Sequence, residues 1–448
     1  MPYILMMLPS WAPIHIYEFS SWARACIVPL LVILNEKPVH NLSIDLEELY
    51  PEAPEARDWS ISHADNVDYF SMEKLFVLVD RILKNFGKFK LPKFKRQSAI
   101  HKCMKYIREH IEKTEDIYPA MAYSAIALKT LGFGLSDPTV AKCLNGLRSF
   151  QQVSRRELLH IPRHWGSSDL SDPEQYVHQQ CCISPVWDTP WTAVALIESG
   201  LDPQHPSLLR AADWLVDKQI LHVKGDWAVK NKKGRPGGWS FEFQNDYFPD
   251  VDDTIEILNF FHLIGRPSAR IQKSFDRGLE WLLSMQSKEG GWAAFDVDNT
   301  LDLVNRIPFA DHGACLDPPT PDITGRTLEF LALIDFDRNS TGVGRALRFL
   351  YREQLECGAW EGRWGVNYLY GTWCALQGLR AIGEDLNDPR IIKARDWLIS
   401  VQNPDGGWGE SPAGYLLNAF TPLPRSVPSQ TAWAVMGLIA AGAAHSEA

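Results

Sequence analysis

Gly278-Leu-Glu-Trp281-Leu282, then Gln286, then Gly290-Gly-Trp292: this stretch decides the fold because it recurs. Ala346-Leu-Arg-Phe349-Leu350 leads to Gln354 and Gly358-Ala-Trp360. Ala394-Arg-Asp-Trp397-Leu398 leads to Gln402 and Gly406-Gly-Trp408. An earlier copy, Ala211-Ala-Asp-Trp214-Leu215, runs to Gln219 and, on this reading, to Gly225-Asp-Trp227. Each unit reads as a helix with an aromatic on its buried face, then a Gln, then a Gly-x-Trp turn. Gln can bond the last backbone groups of its helix, Gly permits a left-handed turn, and Trp covers that turn. Trp227, Trp292, Trp360 and Trp408 therefore read as scaffold staples.

Working outward, apolar residues at three- and four-residue steps predict helices over Leu75–Phe86, Ile100–Ile111, Ala120–Leu131 and Ala193–Ser199. The same spacing continues over Ser207–Gln219, Asp253–Leu263, Ile271–Met285, Thr324–Leu333, Val343–Gln354, Thr372–Ala381, Ile391–Val401 and Ser429–Ala441. Gly- and Pro-rich loops separate them, and no convincing alternating strand intervenes. The expectation is an all-α protein of helical hairpins closed into an α/α toroid. The stretch Asp137–Asp188 is less regular, and a boundary is expected near Cys181, dividing the chain into 1–180 and 181–448.

Composition narrows the function. The chain has 448 residues, enough to bury a sizeable core without disulfides. Lys+Arg is 45 against Asp+Glu 55, a net charge of −10 that argues against nucleic-acid binding. The outlier is 17 Trp with 13 Tyr and 20 Phe, which suggests Trp-bearing repeats, an aromatic-lined cavity, or both. The eight Cys form no CxxC pair and suggest a reducing compartment. The apolar N-terminus lacks the basic region and cleavage site of a signal peptide, and Ala23–Leu34 is too short to span a bilayer. Between Phe86 and Arg96, basic residues alternate with Phe and Leu; this is either a contact for anionic head groups or a solvated helix end.

The strongest chemical signal is Asp250-Val251-Asp252-Asp253-Thr254. Three carboxylates so close cannot all ionise cheaply, so one should remain protonated and able to act as a general acid. The competing reading is an N-capping acidic turn. Phe241, Phe243, Tyr247 and Phe248 nearby weigh against it. Asp296-Val297-Asp298-Asn299-Thr300 echoes the motif with one carboxylate fewer. Nucleotide-binding loops are absent: Gly342-Val-Gly344 lacks a third glycine. His160 and His164 are spaced like metal ligands, but Pro162 between them spoils the helix; Asp311, His312 and Cys315 lack a fourth candidate at a fixed spacing.

On these residues the sequence resembles the squalene-hopene cyclase family of class II triterpene cyclases. The matching segments are Ile16–Ala25, Ser184–Thr189, Gly225–Lys230, Phe248–Thr254, Gly290–Thr300, Asp317–Thr324, Gly362–Trp373 and Gln402–Ser411, in family order; the repeat corresponds to the family's QW motif. The resemblance implies two barrels of six helical hairpins each, both incomplete here, around a large apolar cavity. It implies cyclisation of squalene to hopene or hopanol, with no cofactor and no metal. Asp252 would donate the proton to a terminal alkene, supported by Asp250 and Asp253. Trp22, Trp187, Phe241, Phe295 and Trp364 would line the cavity. Phe19 and Phe309 would lie near its entrance, and Tyr118 and Tyr370 would line it or organise water. Ring faces suit this role, since they stabilise carbocations without offering a nucleophile.

The family's members are monotopic on the cytoplasmic side of the membrane and often homodimeric. A His supports the acid in the family's best-known pattern; the aligned residue is Arg326, which can neutralise a carboxylate but does not deprotonate. Phe295 stands where many members have Tyr, and the segment before Ile117-Tyr118-Pro119 lacks a Gly-x-Trp. The chain is expected to lack family segments at both ends. A cyclase acting on another polyprenoid, and a catalytically inactive lipid-binding toroid, are the competing expectations.

Overall fold

A computed structural model describes residues 3–9, 11–12, 14–40, 50, 53–57, 74–79, 93–113, 117–155, 175–307 and 315–445. They form two compact units. The first comprises Met1–Ile183 and Asn299–Leu316, and the second Ser184–Asp298 and Asp317–Ala448. The return of Asn299–Leu316 to the first unit was not legible, because no change of composition marks it.

In the first unit, α1 (Ser21–Glu36), α2 (Lys93–Glu112), α3 (Tyr118–Thr130) and α4 (Pro138–Ser149) share one core. Val28, Leu31 and Val32 of α1 meet Cys103 and Ile107 of α2, Met121 and Leu128 of α3, and Val140 and Cys143 of α4. Helix α4 corrects the irregular reading of this stretch. Asp137 caps it by accepting from the amides of Thr139 and Val140, and Pro138 opens the first turn. A two-stranded antiparallel hairpin, β1 (Gln151–Arg155) with β2 (Gln175–Gln179), also departs from the expectation of no strands. Both strands are short and mostly polar, so they carry little alternation to read.

The second unit is a double layer of helices. An inner row of α5 (Pro185–Glu198), α7 (Val251–Leu263), α9 (Pro321–Leu333), α11 (Tyr368–Ala381) and α13 (Pro428–Ala440) runs side by side. The outer helices α6 (Pro206–Lys218), α8 (Ala269–Ser284), α10 (Thr341–Glu353) and α12 (Pro389–Ser400) pack outside it. The sequence explains the layering. Outer helices bury one stripe, as Ile271, Ser274, Phe275, Gly278, Trp281 and Leu282 do on α8. The three middle inner helices, α7, α9 and α11, are buried nearly all round, as Val251 through Leu258 are on α7, whereas α5 and α13 bury fewer residues. This is the helical architecture of an α/α toroid.

The repeat joins the layers, with two corrections to its reading. The Gln does not bond its own helix end. Gln286 Nε2 donates to Gly290 O at 2.6 Å and to Gly342 O at 2.9 Å, so it ties its turn to the start of the next outer helix. Gln354 does the same with Gly358 O and Arg390 O. The Trp indoles of the three regular copies donate back to Leu282, Leu350 and Leu398, at 2.9, 2.7 and 2.8 Å. In the first copy the residue in that role is Trp239, not Trp227: Trp239 Nε1 donates to Leu215 O at 2.6 Å, and Gln219 donates to Gly237 O. An insertion between Gln219 and Gly237 had displaced the true turn from its expected place. Trp227 is buried elsewhere, edge-on to Trp281.

Each of these turns is also pinned to an inner helix. The amides of Trp239, Trp292, Trp360 and Trp408 donate to the hydroxyls of Thr254, Thr324, Thr372 and Thr431, at 3.2, 3.1, 3.0 and 3.0 Å. All four Thr lie in the first two turns of an inner helix, so the repeats hold the inner N-termini in register. Helices α9 and α11 come closest of all. A Cβ on Gly325 would collide with the Cys374 carbonyl, and one on Gly378 with the Gly325 carbonyl.

Candidate active site

The acid motif opens α7. Asp250 is its N-cap and accepts from the amides of Asp252 at 2.7 Å and Asp253 at 3.3 Å. The capping reading is thus right for Asp250 alone. That bond turns the next two carboxylates to other surroundings. Asp253 is 1% exposed, and neither of its oxygens has a hydrogen-bond partner among the described residues. Burial, followed by the charges of Asp250 and Asp252, pushes its carboxyl well above the usual range, so it is held as the neutral acid. Asp250 is pushed up for the same leading reason, burial, then by Asp252.

Asp252 is balanced. Arg326 Nη1 of α9 lies 3.0 Å from its Oδ1 as an ion-pair contact, without the alignment of a hydrogen bond. Burial raises its pKa, the guanidinium lowers it, and Asp322 and Glu256 raise it; the result is about 6. Arg326 is itself shared. Nη2 donates to Glu256, one turn along α7 from Asp252, and Nη1 donates to the Tyr370 hydroxyl of α11 at 3.3 Å. The guanidinium also lies 5.3 Å from the Trp187 ring centre and 5.1 Å from that of Trp191. Sequence reading expected Arg326 to hold the Asp cluster; in the structure it bridges Asp252 and Glu256.

Of the expected aromatic set, Trp187 lies 6.4 Å from Phe241, and Phe295 meets Trp364 edge-on at 6.5 Å. Trp364 is half exposed. Tyr370 meets Trp433 edge-on at 5.0 Å and Trp373 at 5.6 Å. These residues and the acids all belong to the second unit. Trp22, Phe19 and Tyr118 belong to the first. Phe19 is buried in that unit's core, where its carbonyl accepts from Arg24 and Asn299. Trp22 is half-buried, and Tyr118 opens α3. Phe309, His160, His164, Asp311 and His312 lie outside the described residues, as do Phe86–Pro92 of the basic stretch. Cys315 is part of the first unit's core.

Sequence reading missed several residues. Glu256, Trp191, Trp373 and Trp433 adjoin the site without standing in a matched motif role. Asp317, Asp322 and Glu410 are buried carboxylates that organise loops. Asp317 accepts from the amides of Ala294, Phe295 and Asp296, and so places Phe295. Asp322 accepts from Arg363 and Trp364, and so places Trp364. Glu410 accepts from Asn367, Tyr368 and Leu369 at the start of α11. The signal for Glu256 was its position four residues after Asp252, on the same helix face. The echo at Asp296–Asn299 starts no helix; Asp298 adopts a positive φ and accepts from the Lys288 amide.

Known proteins bear on this arrangement. Residues 183–448 match the squalene-hopene cyclase C-terminal domain and residues 1–155 its N-terminal domain. The chain is 39% identical over 458 residues to a squalene–hopene cyclase of Zymomonas mobilis, covering 100% of this chain and 66% of that one. It is 39% identical over 454 residues to a squalene–hopene cyclase of Bradyrhizobium diazoefficiens, covering 99% and 65%. It is also 37% identical over 475 residues to a dammaradiene synthase of Dryopteris crassirhizoma, covering 99% and 64%. The chain spans about two thirds of the length of these relatives. The two domain matches together take in most of the chain: it belongs to the squalene-hopene cyclase family.

Proposed function

We propose that the second unit carries the acid of a triterpene cyclase, that Asp252 is the proton donor, and that squalene is the substrate. The observation that carries this reading is a buried carboxyl, Asp252, whose Oδ1 accepts no hydrogen bond among the described residues while a guanidinium waits 3.0 Å away. Protonating an alkene needs an acid that is protonated at rest and whose conjugate base is stabilised once the proton leaves. Arg326 supplies the second property; burial works toward the first by raising the Asp252 carboxyl to about 6, so that a protonated fraction persists near neutral pH. Asp250 and Asp253, kept neutral by burial, add no charge that would oppose loss of the proton.

The step balances without a cofactor. The carboxyl proton passes to the terminal alkene carbon, the π electrons form the new C–H bond, and a tertiary cation remains. Further alkenes attack in turn, and the last cation loses a proton or takes up water. Faces of Trp187, Phe241 and Phe295 suit the passing positive charge. Because squalene partitions into lipid, the protein collects it at a membrane surface. The contact proposed is peripheral or monotopic; among the described residues no helix is long and apolar enough to cross a bilayer.

The test is incubation of detergent-solubilised protein with squalene, followed by gas chromatography–mass spectrometry of the lipids. Pentacyclic product that disappears in Asp252→Asn supports the reading. A differently cyclised product that also needs Asp252 keeps the acid and replaces hopene. Folded protein that binds squalene and returns it unchanged points to the lipid-binding alternative. Co-sedimentation with lipid vesicles, persisting at high salt, is expected for the membrane contact; protein left in the supernatant overturns it.

A further inference from the structure

Asp252 and Glu256 stand one helical turn apart on α7, and a single guanidinium from α9 serves both. Arg326 meets the two unequally. Its Nη2 donates a hydrogen bond to Glu256, whereas its Nη1 lies beside Asp252 without hydrogen-bond alignment. The guanidinium cannot turn further toward Asp252 without abandoning Glu256. It is also fixed from other sides, by the Tyr370 hydroxyl and by the faces of Trp187 and Trp191.

We propose that Glu256 is a positioning residue for the acid: it holds Arg326 as its own counter-ion and so prevents the guanidinium from locking Asp252 in the ionised form. This rests on the reading of Asp252 as the proton donor. A lone Arg paired to a buried Asp would form a charge-assisted bond that keeps the carboxyl ionised and unable to give a proton. A second carboxylate on the same cation neutralises most of that pull. The pair Asp252–Glu256 with one Arg carries one net negative charge when both are ionised, and none when Asp252 holds its proton. The protonated acid is therefore the neutral state of the triad, which a buried site favours. Without Glu256 the preference inverts: the ionised Asp252 with Arg326 becomes the neutral pair.

Other charged and titratable groups face this triad and do not undo the argument. From α9 come Asp322 and Glu329, from α11 Tyr370 and Cys374, and from the acid turn Asp250 and Asp253. Glu242 and Asp317 act on Asp253 and Asp250 rather than on Asp252. Arg326 is the cation in direct contact with Asp252 among the described residues.

The test is an infrared titration of the Asp252 carboxylic-acid band, identified by its loss in Asp252→Asn, in folded full-length protein. In Glu256→Gln the band is expected to vanish at a pH at least one unit lower than in the wild type, a tenfold loss of proton affinity. In Arg326→Gln it should persist to higher pH, and the double variant should restore it to the wild-type value or above. Glu256→Asp, which keeps the charge, should move it least. A band that titrates at the wild-type pH in Glu256→Gln overturns the proposal. So does an Arg326→Gln band that moves down, which covers the case of an unfolded Glu256→Gln.

Cyclisation measured against pH gives a second readout. In Glu256→Gln the falling limb should move to lower pH with activity recovered in acid, whereas uniform loss at every pH would mark a merely structural role. The infrared result stands even if no cyclised product forms, so failure of the functional reading and failure of this inference are separable.

Discussion

The repeat turns and the acid turn occupy the same unit, start from the same kinds of residue, and treat buried polar groups in opposite ways. In the regular turns every key donor is used. Indole nitrogens reach leucine carbonyls, Gln amides reach the carbonyls of their own glycines, and Trp amides reach Thr hydroxyls. Asp317 and Glu410 are equally buried, yet each accepts three backbone amides. In the acid turn Asp252 Oδ1 and both oxygens of Asp253 are left without hydrogen bonds among the described residues. A satisfied buried carboxylate is architecture. An unsatisfied one costs about 1–3 kcal/mol and persists where chemistry needs it.

The largest expected effect tests the acid side of this contrast. Asp252→Asn keeps the shape and removes the proton, so cyclisation should fall by about 10²–10⁴-fold, the range for loss of a general acid. Product formation by the folded variant within tenfold of wild type would break the assignment. On the architectural side, Trp292→Ala should cost about 3–5 kcal/mol, because a fully buried ring and its bond to Leu282 are lost together. Chemical denaturation measures this, and a loss below 1 kcal/mol would mean that the turn is not a staple.

Asp253→Asn sharpens the comparison through pH. A carboxyl whose folded pKa is raised stabilises the fold fully below its unfolded value of about 4, and that stability is lost as pH rises through the folded value. Wild-type stability should therefore decline from about pH 4 upward, through the value of about 6 held by Asp252. Asp253→Asn should flatten that decline by up to about 1.4 kcal/mol per pH unit, the contribution of one proton. An unchanged slope in a denaturation series at several pH values would show that Asp253 does not hold the proton. The smallest effect, at Gln402, belongs to a comparison of two copies of one motif. Gln286→Ala removes three hydrogen bonds, two donated by its Nε2 and one that Arg345 donates to its Oε1, and should cost about 1.5–4.5 kcal/mol. Gln402→Ala removes one exposed bond to Gly406 and should cost about 0.5–1.5 kcal/mol. Equal losses would deny the link from each turn to the next outer helix.

The all-α architecture and the acid motif were legible because both are local patterns. Helical spacing and the Gln–Gly-x-Trp turn repeat within a few residues, and Asp250 to Asp253 are neighbours in the chain. What escaped was set by tertiary contact. Trp227 looked like the first staple because it follows Gln219 at nearly the right spacing, while Trp239 does the work across an insertion. Glu256 looked like an ordinary helical carboxylate until Arg326, seventy residues later, was seen to bind it. Asp317 and Asp322 lie in a quoted family segment, but which amides they hold is fixed by loops folding back from Ala294–Asp296 and Arg363–Trp364. Helix α4 had a readable Asp-Pro start that its weak apolar content obscured.

Gly325 stands immediately before Arg326, at the point where α9 and α11 touch backbone to backbone. The two glycines there act as a spacer of zero thickness. The spacing of the two backbones that carry Arg326 and Tyr370 is set there by main chain alone. An alanine at either position would work as a shim, tilting the helices apart and carrying Arg326 away from the Tyr370 hydroxyl. Every polar group would remain in place in the sequence, and the site would be detuned by the addition of one methyl group.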